Sequence, residues 1–293
     1  MMLDTVVAGN RFLHYLTLML LFGSSIFVWR LAAPDLRVVI GRRLNPALRI
    51  AALLAALTTL AGLFLQAGEI AGSWQATVDV QLLQKVLRTD IGQTWILRML
   101  LALLLLGLTL RQRPGRLGGV VLGSALLLAS LALTGHAAMD EGLRGFLHAA
   151  NHVAHLLCGG AWLGSLPPFL LCLRLLADPA TRSDASLTLQ RFSNAGHVAV
   201  VGVLLTGVLN TLLVLGRWPT DWSSPYQLLL SLKILFTAAM ALLAVMNRYV
   251  FVPRMKSDAP SAIASIRRYT LTEIGLGAAV LLLVSLFGML EPG

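Results

Sequence analysis

Four of the six histidines in this 293-residue chain fall within residues 134–160, "TGHAAMDEGLRGFLHAANHVAHLLCGG": His136, His148, His152 and His155. Met139 and Cys158 add sulfur to the same stretch, and Asp140 and Glu141 add negative charge. Imidazole is a good nitrogen ligand for Cu, Zn, Fe and Ni, and soft sulfur shifts the preference towards Cu(I). On a helix, His148, His152 and His155 stand at i, i+4 and i+7 and share one face. The expected chemistry is metal binding, with His136, His148, His152, His155, Met139 and Cys158 as candidate ligands. Hydrolysis is not expected. A zinc protease needs H-E-x-x-H, but Ala149 follows His148, and a G-x-S-x-G elbow is absent. On this reading the chain binds metal and is not an enzyme.

The elements that must position these residues are membrane helices. The chain is 57% hydrophobic and 12% charged, about half the charged fraction of a soluble domain. Apolar runs recur at lengths that cross a hydrocarbon layer of about 30 Å as helices. The fold class is therefore all-α: a polytopic bundle of eight transmembrane helices, read at 9–33, 48–68, 93–111, 117–138, 148–173, 193–215, 227–250 and 270–290. It is taken as one membrane domain, 1–293, with possible halves 1–138 and 139–293. The N-terminus does not read as a cleaved signal, because its apolar stretch runs too long. Cys158 and Cys172 sit 14 residues apart on one span, roughly 21 Å along a helix, too far for a disulfide.

Lys and Arg set the orientation. The loops and flanks after spans one, three, five and seven hold 16 of the 23 basic residues. The other side keeps Arg11, Lys85, Arg88, Arg98, Arg144, Arg217 and Lys233. The richer side is expected to be cytoplasmic, which makes both termini periplasmic. The +10 net charge is then a topology signal, and no nucleic-acid partner is expected. The histidine stretch falls at the outer mouth of the hairpin formed by spans four and five.

Two sequence segments echo one another. Span one carries His14 followed by Gly23-Ser24, and span five carries His155 followed by Gly164-Ser165, both His-x8-Gly-Ser. Spans three and seven each place a base just inside the outer end, Arg98 and Lys233. With four spans per half, such copies would be parallel repeats about an axis along the membrane normal. The echo makes His14 a further candidate ligand. Asn210 and Gln66 are expected to bond across helices. Glu273 is expected to pair with Arg248, Arg191 or Arg268, since an unpaired carboxylate in a span is costly. His197 belongs to the inner side. Paired histidines on neighbouring helices also hold haem in membrane bundles, so a b-type haem cytochrome or metal reductase is the alternative function.

Ordered segments across nearly the whole chain resemble the copper-resistance protein D family (CopD and PcoD) of bacterial inner membranes. They are "RFLHYLTLMLLFG" at 11–23, "TDIGQTWILR" at 89–98, "TGHAAM" at 134–139, "HVAHLLCGGAWLGSLPPFLL" at 152–171 and "RFSNAGHVAVVGVLLTGVLN" at 191–210. "PYQLLLSLK" at 225–233, "NRYVFVPRM" at 247–255 and "TEIGLG" at 272–277 complete the series. The resemblance implies a multi-pass inner-membrane protein that handles copper, as Cu(I) or Cu(II), and moves it inward from the periplasm. It implies a separate periplasmic CopC-like copper-binding partner, and places His136, His152 and His155 at the family's histidine positions. Ser165 stands where a second glycine is frequent in the family.

Overall fold

In hydrocarbon every backbone N–H and C=O must be bonded within its own segment, so long Leu-, Ala- and Val-rich runs become helices. The computed structural model describes residues 2–111, 116–134 and 142–291. It has eight helices long and apolar enough to cross a membrane. They are α1 (Met2–Leu31), α2 (Pro34–Ala71), α3 (Asp90–Leu110), α4 (Arg116–Leu133), α5 (Gly142–Leu175), α6 (Arg182–Leu215), α7 (Pro225–Arg254) and α8 (Ala259–Phe287). The all-α, eight-span expectation is met. An even number of spans puts the start of α1 and the end of α8 at one end of the bundle, here called the terminal face.

Several helices run further than their apolar stretches. α2 begins at Pro34, not 48, α6 at Arg182, not 193, and α8 at Ala259, not 270. The added turns carry Arg37, Arg42, Arg43, Arg182, Arg191, Arg267 and Arg268. Hydropathy marks only the part of a helix that needs lipid, whereas the helix continues to its next cap or breaker. For α8 that cap is Asp258, whose carboxylate accepts from the Ser261 amide at 3.2 Å. The 69–92 connection is also partly helical. Its Val80–Leu87 helix is capped by Asp79, which accepts from the amides of Gln81 and Leu82.

Helix α1 is the central post, packed on α2, α4, α5 and α8. Helices α1 to α4 close into a ring, each touching the next, with α4 returning to α1. In the second half α5 packs on α6 and α8, and α8 on α7. Among the described residues, α6 and α7 are the only successive helices that do not pack along their lengths. They are pinned at the end opposite the terminal face, where His197 Nε2 meets Tyr249 Oη at 3.2 Å and the Arg248 guanidinium bonds the Ser193 hydroxyl. At the terminal face their connection is stiffened by Asp221. Its carboxylate accepts from both the hydroxyl and the amide of Ser223, which holds that carboxyl below the usual carboxylate range.

At the α1–α5 crossing the backbones of the two halves come into direct contact. A Cβ on Gly23 would lie 2.5 Å from Gly164 Cα, and one on Gly164 would lie 1.8 Å from the Met19 carbonyl oxygen. Glycine at both positions lets the backbones touch. The neighbouring serines lock the crossing reciprocally: Ser24 Oγ donates to the Gly164 carbonyl at 2.8 Å, and Ser165 Oγ to the Gly23 carbonyl at 2.9 Å. Ser165, the departure from the family's second glycine, is thus a bonded partner of α1. The same Gly164-Ser165 step interrupts α5, which resumes at Leu166 with Pro167 and Pro168 in the new first turn, where a missing N–H costs no intrahelical bond.

Glu273 does not take an arginine partner. It is 2% exposed, and Asn247 Nδ2 donates to its Oε1 at 3.0 Å, while Arg248 is committed to Ser193. Asn247 opens the π-helical segment Asn247–Phe251 of α7. There the turn widens just before Pro253, whose ring a regular helix would press against the preceding turn.

Candidate metal centre

Between the halves lies a cavity of about 770 Å³ that reaches in from the terminal face. His14, His148, His152 and His155 all line it. Four of the predicted ligands, from two helices, are therefore brought to one space. His136 and Met139, with Asp140 and Glu141, lie outside the described residues. Cys158 does not line the cavity. Its sulfur lies against Gly202 of α6, close enough that a Cβ there would sit 2.5 Å away. His197 is far from this space, its Nδ1 donating to the Ser193 carbonyl at 2.6 Å and its other nitrogen meeting Tyr249.

Two imidazoles are built into the helices in the same way. In α1, Asn10 Nδ2 donates to the Thr58 carbonyl at 3.1 Å, and one turn on His14 Nδ1 meets Thr58 Oγ1 at 2.9 Å. In α5, Asn151 Nδ2 donates to the Thr206 carbonyl at 3.0 Å, and His155 Nδ1 meets Thr206 Oγ1 at 2.9 Å. Each threonine hydroxyl gives its own proton back along its helix: Thr58 to the Leu54 carbonyl at 2.7 Å, Thr206 to the Gly202 carbonyl. The threonine oxygen is then left to accept, so the imidazole proton sits on Nδ1. The lone pair is consequently on Nε2 in both rings, the tautomer a metal ligand requires. His14 is 6% exposed, and its Nε2 is buried with no hydrogen-bond partner. Gly207 makes room for the His155 ring, since a Cβ there would come 3.3 Å from Cε1.

His152 is held differently. Asn151 Nδ2 donates to Asn210 Oδ1 at 2.8 Å, and this turns Asn210 Nδ2 towards His152 Nδ1 at 3.5 Å. His148 is 2% exposed at the mouth. Among the described residues no three His, Cys, Asp or Glu side chains gather closely enough to hold one ion. The described part of the site is thus a set of imidazoles around a space, not a closed cage.

The charged groups at this cavity are mostly basic. At the rim, Arg11 bridges helix ends, donating to the Gly288 carbonyl at 3.0 Å and to Glu69 Oε1 at 3.4 Å. Arg98 is 3% exposed. It donates to the Ser130 carbonyl at 2.7 Å and to Thr134 Oγ1 at 2.8 Å. The carbonyls at the end of α4 have no further helical N–H to bond, so a cation is well placed there. Lys233, on α7, also lines the cavity.

Asn10, Asn151, Thr58 and Thr206 are the site residues that sequence reading passed over. The signal for the asparagines was present: the echoed unit is longer than His-x8-Gly-Ser and begins with Asn-x3-His at 10–14 and 151–155. The threonines carry no such mark, because their partners come from another helix.

Comparison with known proteins fits this architecture. Residues 2–146 match the family model "Copper resistance protein D-like, N-terminal domain", and residues 186–287 match "Copper resistance protein D". The chain is 37% identical over 285 residues to the inner membrane protein YebZ of Escherichia coli, covering 96% of this chain and 97% of that one. It is 32% identical over 304 residues to copper resistance protein D of Pseudomonas syringae pv. tomato, covering 99% and 97%. No solved structure matches it. Eight apolar helices and relatives of these kinds make it a multi-pass protein of the bacterial inner membrane with a role in copper handling. With both family models matched and full-length identity above 30%, the chain belongs to the copper resistance protein D family.

Proposed function

We propose that the chain accepts copper at the periplasmic face and passes it inward, with copper as cargo, and that it is not an enzyme. The terminal face is periplasmic in this reading, as the Lys and Arg bias requires. A CopC-like protein is the periplasmic donor. The observation that carries the proposal is the pair His14 and His155, each with Nδ1 spent on a threonine and Nε2 left to bind. His148 and His152 line the same cavity, with His136 and Met139 as further candidates on the α4–α5 connection. Two neutral nitrogen ligands suit Cu(I), which accepts low coordination numbers.

Accumulation of ⁶⁴Cu tests transport. Cells making the protein should take up more copper than cells lacking it, and His155→Ala should remove the difference. Equal uptake in all three would sink inward transport. The threonines offer a finer test. Thr206→Val keeps the shape but removes the acceptor that holds the His155 tautomer, and copper affinity should fall about 10- to 100-fold, as for other outer-shell partners. Competition against a chromogenic Cu(I) chelator measures it, and an unchanged affinity would remove Thr206 from the site.

A second reading draws on the size of the cavity. A volume of about 770 Å³ is that of a pocket for an organic ligand, and its two prepared imidazoles would suit a b-type haem. Absorbance of the purified protein decides it. A Soret band lost in His14→Ala and His155→Ala supports haem, and its absence after reduction and haem supplementation excludes it.

A further inference from the structure

Lys233 is a cation within a membrane-spanning helix, and it has no hydrogen-bond or ion-pair partner among the described residues. It lines the same cavity as His152 and His155. Arg98, at the matching place on α3, is satisfied only by neutral groups, the Ser130 carbonyl, the Ser130 hydroxyl and the Thr134 hydroxyl, with the Trp95 ring 5.0 Å away. The acids on the cavity wall among the described residues are Glu69, ion-paired with Arg11, and Asp90, exposed in the first turn of α3. The deeper wall therefore carries positive charge with no described carboxylate to offset it.

An uncompensated charge in a membrane span is expensive, and such residues mark binding sites or pathways. A structural role accounts for Arg98, which closes the end of α4, but not for Lys233. Copper alone makes the imbalance worse, because a second cation beside Lys233 is repelled in a medium of low dielectric constant. An anion resolves both problems. It pairs with the ammonium and, once bound, offsets the charge of a cation held by the neighbouring imidazoles. The cavity has ample room for both.

Resting on the copper reading for its cation, we propose that the cavity is also an anion site. It binds one small monovalent anion, a halide or a carboxylate, against Lys233 beside His152 and His155, and copper is held there together with this counter-anion.

The test uses the full chain in nanodiscs of zwitterionic lipid, with ³⁶Cl-chloride and ¹⁴C-acetate as the two probes. Without copper, one of them should bind saturably, and which one does identifies the anion. Lys233→Gln should weaken that binding at least about tenfold, whereas Lys233→Arg, which keeps the charge, should retain it. Cu(I) affinity, measured by chelator competition at constant ionic strength, should rise about tenfold or more when the probe anion that does not bind is replaced by the one that does. In Lys233→Gln this rise should vanish, while affinity in the non-binding anion improves. Absence of saturable binding of both anions, or anion binding equal in wild type and Lys233→Gln, overturns the proposal. Anion binding without any copper binding upholds the anion site and removes the copper reading, so the two failures are told apart. Circular dichroism of Lys233→Arg and Lys233→Gln checks folding, and Lys233→Met stands in should Lys233→Gln fail to fold.

Discussion

Copper affinity is expected to fall at least about 100-fold when His14 and His155 are both replaced by alanine. Loss of an outer-shell partner alone costs 10- to 100-fold, and direct ligands matter more. The physical basis is preparation. Each ring is fixed by a threonine whose own proton is returned to its helix backbone, and an asparagine one turn earlier ties the same two helices together. The single variants carry further information. If both rings hold one ion, His14→Ala and His155→Ala should each cost nearly as much as the double change, because ligands of one ion are strongly coupled. If each half holds its own ion, each single change should remove half of the bound copper and leave the rest at full affinity. His197→Ala is the control, since that ring is bonded to Ser193 and Tyr249 away from the cavity. Chelator competition with metal analysis of the purified protein reads all four. Wild-type affinity and stoichiometry in the double variant would falsify the assignment.

Gly164→Ala is expected to be the most damaging single-methyl change in the chain, costing about 3 kcal/mol or more, the upper range for overpacking. The added Cβ would stand 1.8 Å from the Met19 carbonyl oxygen and 2.7 Å from the Gly160 carbonyl oxygen. These are backbone atoms of two helices, so no side-chain rotation relieves the clash and α1 must move away from α5. Moving it also stretches the bonds from Ser24 to Gly164 and from Ser165 to Gly23. Gly23→Ala meets the same crossing from the other side, with Gly160 O at 2.2 Å, and should behave alike. Gly196→Ala is the control, since a Cβ there meets nothing within 4 Å. Thermal unfolding of the detergent-solubilised proteins should show a large drop in Tm for the first two and none for the third. Equal Tm values across the set would contradict the crossing described for α1 and α5.

The separation between what was readable and what was not follows the range of the forces involved. Hydrocarbon demands an unbroken apolar run for each crossing, so eight helices could be counted from composition and spacing, and no strand was expected. Helical periodicity is local, so His148, His152 and His155 could be set on one face of α5, and they do line one cavity. The copper family was legible from ordered segments spread along the chain. Local patterns could not say how far a helix outlasts its apolar stretch, and α2, α6 and α8 all run on through basic turns.

Nor could they say which atoms meet across helices. Local pattern assigns Glu273 an arginine, but Asn247 is the neighbour that α7 presents to α8. Helical spacing sets Cys158 beside the stripe, yet a modest angular offset on the helix turns its sulfur to Gly202. The threonines that settle which nitrogen of His14 and His155 is free lie on α2 and α6, 44 and 51 residues away. Composition and periodicity determine how many helices there are and which residues share a face. The ring orientations, the glycine crossing that joins the halves and the cations left facing the cavity arise only when the helices pack, because each depends on a partner far away in the chain.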